Sequence, residues 1–320
     1  MLSRTDFSFK QILFIHANNG EKFTFLNDNV VVKKKDDSVV FQGSCHRIFA
    51  IYIVGNFVIT SGLIQRAHKF GISIVLMTTG YRIYQVIGFK QDGNTILRKK
   101  QYNYNSLDIA KLLIKNKIYN QKSMIERINN KTVDERECVA NLDKYISEIA
   151  DVDNLKSLLG IEGSAAKIYF KNFFTNVAWK GRKPRIKPDM TNSLLDIGYT
   201  LIYSLIESLL SLYGFDIYQG FLHTNFYIRK SLVCDLVEPF RIIVDNIVKK
   251  GISLGQFKED DFFQEYGRYD LEWKKSSAYI GIFMKEILNE KDYVFLYIQD
   301  FYRAFMREKD IEEYPFYAYK

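Results

Sequence analysis

In the segment GFLHTNFYIRKSLVCDLVEPFR, residues 220–241, a histidine, two acids three apart and a proline stand on a ladder of apolar residues. Leu232, Leu236, Phe240, Ile243 and Ile247 recur at spacings of three and four, the period of a helix with one buried stripe. Asp235 and Glu238 are at i and i+3, so their carboxylates lie on adjoining turns of one face. Pro239 has no N–H for the carbonyl of residue 235, so the helix should bend there or leave that carbonyl free. His223 falls in the loop that feeds the helix. The plainer reading of such an acid pair is a solvated face. A third acid in an unusual setting weighs against it. LLGIEGSAAKIYF sets Glu162 between Gly160 and Gly163 at the expected start of a helix. There the helix dipole favours an acid, and small neighbours also permit close approach to its carboxylate. Three acids and one histidine converge only if a cation offsets their repulsion or some stay protonated. Mostly oxygen ligands with one imidazole suit Mg2+ or Mn2+ better than structural zinc. Beside basic surface, such a site suits phosphodiester chemistry.

Basic surface is close at hand. WKGRKPRIKPD, residues 179–189, carries Lys180, Arg182, Lys183, Arg185 and Lys187 against the single acid Asp189. A solvated loop and a loop that binds DNA backbone fit this pattern equally well. The helix KLLIKNKIYNQKSMIERINNK reads more simply as a helix with a solvated cationic face. His16, His46 and His68 have no acids at ligand spacing. The absence of GxxxxGK[ST], GxSxG and HExxH removes P-loop, α/β-hydrolase and zincin readings.

The elements that must position these residues change character along the chain. In the first ninety residues, β-branched and aromatic runs alternate with the turn clusters NNG, NDN and DDS, interrupted by one short helix at TSGLIQRAHKFG. Beyond KQDGNTILRKKQYNYN the period becomes helical, with helices expected over 106–129, 133–150, 154–159, 163–178, 191–213, 231–250 and 276–308. The expected class is therefore α+β. Residues 1–92 form a small β-rich domain, 93–105 a linker, and 106–320 a larger all-α catalytic domain. The chain has 320 residues, 47% of them hydrophobic, which is ample for a packed core. Its 45 Lys and Arg against 37 Asp and Glu give a net charge of +8, compatible with a polyanionic partner. Three dispersed cysteines without a CxxC argue against a disulfide framework and for the reducing cytoplasm. The opening MLSRTDFSFK lacks the apolar core of a signal peptide, and the apolar stretch 194–214 is broken by Asp196 and Glu207. The expectation is a buried helix, with no membrane association.

Four stretches, taken together, resemble the CRISPR-associated spacer-acquisition integrase family (Cas-one). KNKIYNQKSMIERI resembles its K-I-x-N-Q helix, and GIEGSAAKIYF its E-G-x-A-A-[RK]-x-Y-F segment, with Glu162 in the acid position. DMTNSLLDIGYTLIY resembles D-P-x-N-x-L-L-x-x-G-Y-x-L, with Met190 for the usual proline. The stretch 220–241 resembles G-x-[LI]-H followed by R-x-S-L-x-x-D-L-x-E-x-F-R. The resemblance implies a Mg2+ or Mn2+ site of Glu162, His223 and Glu238, with Asp235 in a supporting or ligand role. Arg229 would take a phosphate or supporting role. It implies a β-rich dimerisation domain, a homodimer, and a heterohexamer with a small Cas-two partner. That assembly would insert short double-stranded DNA into a repeat array, each 3′-hydroxyl attacking a phosphodiester. Ile228 stands where many relatives have glycine before the arginine, which leaves the loop path after His223 open. The alternatives are a metal-dependent repair nuclease acting on branched DNA and a non-catalytic DNA-binding scaffold.

Overall fold

The alternation read in the first ninety residues becomes two sheets. The computed structural model describes residues 9–79, 83–87, 94–175, 179, 181–223 and 226–320. In one sheet β5 (Ile48–Val54) lies between β1 (Gln11–His16) and β6 (Ser73–Met77), parallel to both, and β7 (Ile83–Ile87) runs antiparallel beside β6. Every residue of β5, IFAIYIV, is buried, so an unbroken apolar run suits this central strand better than alternation would. The second sheet is an antiparallel meander of β2 (Lys22–Leu26), β3 (Asn29–Lys33) and β4 (Val39–Ser44). Its first hairpin turns on Asn27, which takes the left-handed conformation (φ 52°) that two-residue hairpin loops require. Helix α1 (Ser61–Lys69) begins on a threonine cap: the Thr60 hydroxyl accepts the N–H of Leu63 at 3.3 Å. Ile15, Phe23, Val30, Val32, Ile51, Ile53, Ala67 and Ile74 share one core.

By internal contacts the chain divides into Met1–Thr95 with Glu207–Phe215, and Ile96–Ile206 with Asp216–Lys320. The first unit thus includes a piece far away in sequence, the end of a long helix. Ser208 on that piece meets the Tyr52 hydroxyl at 3.0 Å in a buried pair.

The second unit departs from the expected linker at its start. Residues Thr95–Asn103 form helix α2. Gln101, fully buried, donates to the carbonyls of Asp216 and Gln219 at 2.7 and 2.6 Å, and accepts the N–H of Asp216 at 3.1 Å. A side chain whose amide nitrogen and oxygen are both engaged with backbone is an anchor, which polar composition alone did not reveal. Then follow α3 (Asp108–Glu126), α4 (Val133–Glu148), α5 (Leu155–Phe173) and α6 (Met190–Tyr213). Helix α4 opens on a complete capping box between Thr132 and Glu135. Helix α6 is long and apolar enough to cross a membrane, with mean hydropathy 1.3, yet 78% of that window is buried within the protein. It is a core helix.

Three expectations about helices need correction. Residues 154–159 and 163–178 are not separate: α5 runs through both glycines, so Glu162 sits mid-helix and the dipole argument does not apply. The helix expected at 231–250 is two, α7 (Ser231–Val237) and α8 (Arg241–Ser253), joined by a tight 3-10 turn, Glu238–Phe240. Pro239 does break the helix, but the carbonyl of Asp235 is not left free, because the N–H of Glu238 takes it. The stretch 276–308 is likewise divided into α9 (Trp273–Asn289) and α10 (Lys291–Met306). The nominally all-α unit also carries a hairpin, β8 (Phe262–Glu265) with β9 (Arg268–Leu271), turning on Tyr266 and Gly267 at φ 49° and 76°.

Candidate metal centre

Lys117, Glu162 and Glu238 meet within the helical unit. Helix α3 buries Ala110, Leu113, Ile114, Ile118, Gln121 and Met124, and Lys117 falls on that same stripe. On α5, Glu162 shares a face with the buried Leu158, Ala165 and Tyr169, so it points inward while its side chain keeps 25% exposure. Glu238 opens the turn forced by Pro239 and is only 5% exposed. The Lys117 ammonium pairs with Glu162 and lies 2.7 Å from Glu238 Oε2. Arg241, one turn further on, donates from Nε to the same Glu238 oxygen at 2.9 Å. Burial alone would raise the Glu238 pKa, but Arg241 and Lys117 overcome it and hold the carboxyl at about 2.

His223 is fixed from behind. Asp235, fully buried on α7, accepts the N–H groups of Phe221, Leu222 and His223 at 2.6, 2.9 and 3.0 Å. It also holds His223 Nδ1 at 2.6 Å. One carboxylate therefore shapes the loop and orients the ring, leaving Nε2 as the nitrogen to face a ligand. Gly220 makes this possible. A Cβ there would stand 2.7 Å from Asp235 Oδ2 and 2.8 Å from the His223 carbonyl oxygen.

Behind Glu238, the Arg241 guanidinium stacks over the Tyr199 ring, 4.6 Å from its centroid, and the Tyr199 hydroxyl donates to the buried Asp245. From α3, Asn120 donates to the Pro239 carbonyl at 3.0 Å and to the Tyr317 carbonyl at 2.9 Å. Asn116 and Asn120 also accept the N–H groups of Tyr317 and Tyr319, each at 2.9 Å. The C-terminal segment is thus stitched along α3, and its Tyr317 ring packs on Phe240 at 4.6 Å.

Glu162, His223, Asp235 and Glu238 were named from the sequence, whereas Lys117, Asn120, Tyr199 and Arg241 lie in the motifs quoted above but were given no role there. The four named residues do not form a single ligand set. Among the described residues no three His, Cys, Asp or Glu side chains are gathered closely enough to share a metal ion. The two glutamates meet on Lys117, and His223 rests on Asp235. The donor types nevertheless fit a hard divalent cation. Two carboxylates from separate helices already converge on one positive charge, and a carboxylate-oriented imidazole has its second nitrogen available.

The basic loop 179–189 is less available than its composition suggested. Lys180 lies outside the described residues. Arg182 pairs with Asp196 at 2.6 Å and donates to Asn192 Oδ1 at 3.1 Å, and Lys187 pairs with Asp270 at 2.7 Å. These two cations brace the loop through acids of the same chain. Lys183 and Arg185 are exposed, and Arg229 is half-buried. Ile228, in the glycine position, retains the left-handed backbone (φ 64°) and is exposed. The loop path that glycine would favour is therefore kept by a β-branched residue at some conformational cost.

A β-rich unit, then a helical unit in which two acids meet where a proline breaks a helix, defines the class: an α+β protein with a carboxylate-rich centre. The family model for CRISPR associated protein Cas1 matches residues 15–284. The CRISPR-associated endonuclease Cas1 1 of Thermodesulfovibrio yellowstonii is 30% identical over 276 residues, covering 82% of this chain and 87% of that protein. The chain belongs to the Cas1 family. Two solved structures share the fold. A Cas6-RT-Cas1–Cas2 complex aligns with a TM-score of 0.79 at 21% identity, over 98% of this chain, which spans about a third (36%) of that one. A casposase bound to integration product aligns with a TM-score of 0.75 at 22% identity, over 97% and 96% of the two chains.

Proposed function

We propose that this Cas1 protein is a metal-dependent DNA endonuclease and integrase that inserts short duplexes into a repeat array by transesterification. The convergence of Glu162 and Glu238 on one cation position, beside an imidazole oriented by Asp235, carries this reading. Glu162, Glu238 and Nε2 of His223 would hold Mg2+ or Mn2+. When bound, the ion would polarise the attacked phosphodiester and offset charge developing on its oxygens. The rest is positioning by the chain itself. Asp235 holds the imidazole, Arg241 keeps Glu238 ionised and aimed, and Asn120 fixes the turn that presents it. In the transfer, the incoming 3′-oxygen loses its proton and bonds to phosphorus. The bond from phosphorus to the departing 3′-oxygen breaks, that oxygen gains a proton, and the number of phosphodiesters is unchanged.

The related casposase structure, bound to integration product, supports strand transfer, and the Cas1–Cas2 assembly supports a small Cas2 partner. In this reading the protein works on cytoplasmic DNA as a homodimer joined through its β-rich unit, and light scattering showing a monomer would remove the dimer. Glu162→Gln, His223→Ala and Glu238→Gln should each abolish Mn2+-dependent strand transfer while duplex binding persists. Because they serve one site, the losses should not add when combined. A single variant with near-normal transfer would exclude its residue from the site.

A further inference from the structure

Lys117 is a buried lysine held between two carboxylates, on a helix stripe otherwise given to packing and buried amides. With Arg241 on the far side of Glu238, the cluster has two positive and two negative groups and is balanced as it stands. A divalent cation entering between the glutamates while the ammonium stayed would leave two uncompensated charges in a largely dry position, which is strongly unfavourable. The ammonium already engages Glu162 Oε1 and Glu238 Oε2, so an ion between the two carboxylates competes with it for both groups. The ammonium ends a flexible four-carbon stem, so it can leave without moving α3.

Resting on the metal-site reading above, we propose that Lys117 is a built-in counter-ion for Glu162 and Glu238, and that Mg2+ or Mn2+ binds by displacing it. The metal-free site is then kept folded by the lysine, and the apparent metal affinity is the outcome of a competition within the protein. Removing the competitor should unbalance the free site and tighten the ion, whereas a merely structural lysine would leave affinity unchanged or weaker when lost.

The experiment titrates the full chain, without DNA, with Mn2+ by calorimetry. Lys117→Met should bind Mn2+ about tenfold more tightly than the unsubstituted protein, or more, as a buried ion pair no longer has to be broken. Its melting temperature should be lower without metal and rise further on adding it. An affinity equal to or weaker than that of the unsubstituted protein overturns the proposal. A second readout avoids the variant altogether. With an amine-acylating reagent and mass spectrometry, Lys117 should be protected without metal and become reactive with Mn2+; equal protection in both conditions overturns displacement. The parent reading has its own control. Mn2+ binding unchanged in Glu162→Gln would overturn the metal site itself, whereas binding lost in Glu162→Gln but not tightened in Lys117→Met overturns only the role of the lysine.

Discussion

Asp245 shows how environment, more than residue type, decides what an acid does in this protein. Its carboxyl is buried, and burial raises its pKa to about 6, with the Tyr199 hydroxyl and the Arg241 and Arg182 guanidinium groups offsetting only part of the cost. Glu238, equally enclosed but touching two cations, moves the other way. The consequence for stability has a definite sign. A carboxyl whose folded value is raised holds its proton more tightly when folded. Its favourable contribution is therefore complete below about pH 4 and is lost as the pH rises through 6. Asp245→Asn should thus gain on the parent protein across that window, by on the order of 2–3 kcal/mol at most. Melting temperatures of the two proteins from pH 4 to 7 check this, and a constant difference would contradict it. Among the candidate site residues, His223, Asp235 and Glu238 could be picked out because one short segment contains them. Lys117 was legible in principle, as the lysine in an apolar stripe marked by Leu113, Ile114 and Ile118. It was masked by the many cations around it.

At the scale of elements, periodicity located most helices and strands, and failed where tertiary contacts override local signals. Helix α2 falls in the expected linker, a stretch with Gly93 and several Asn and Lys residues, whereas Gln101 anchors it to a distant loop. Pro239 announced a bend but not a division of the helix at Glu238–Phe240, and the Asn120 bond that fixes this turn comes from a helix more than a hundred residues away. The loop 179–189 shows the same limit for charge. Composition counts its cations, but not the acids Asp196 and Asp270 that neutralise two of them. Changing the exposed pair together, Lys183→Ser with Arg185→Ser, should flatten the salt dependence of duplex affinity by about 1.8 logarithmic units, at roughly 0.9 per phosphate contact. Arg182→Ser and Lys187→Ser should instead lower the melting temperature by loosening the loop. An unchanged slope in the double variant would make the exposed pair solvated surface and shift attention to Arg229.

For the whole molecule, the α+β order was legible because the change of period near residue 90 marks a change of architecture. The return of 207–215 to the first unit was not, since a helix of uniform composition gives no sign that its end belongs to another core. The chain's membership of the Cas1 family and the candidate carboxylate–imidazole centre support the proposal that its chemistry is strand transfer. The most direct test incubates the protein and a Cas2 partner with Mn2+, a supercoiled plasmid carrying a repeat array, and a labelled short duplex ending in either 3′-hydroxyl or 3′-deoxy. The account predicts label joined covalently to the plasmid at the repeat with the 3′-hydroxyl duplex, and none joined with the 3′-deoxy duplex. Plasmid nicked to the same extent with both duplexes, and no label joined with either, would contradict it.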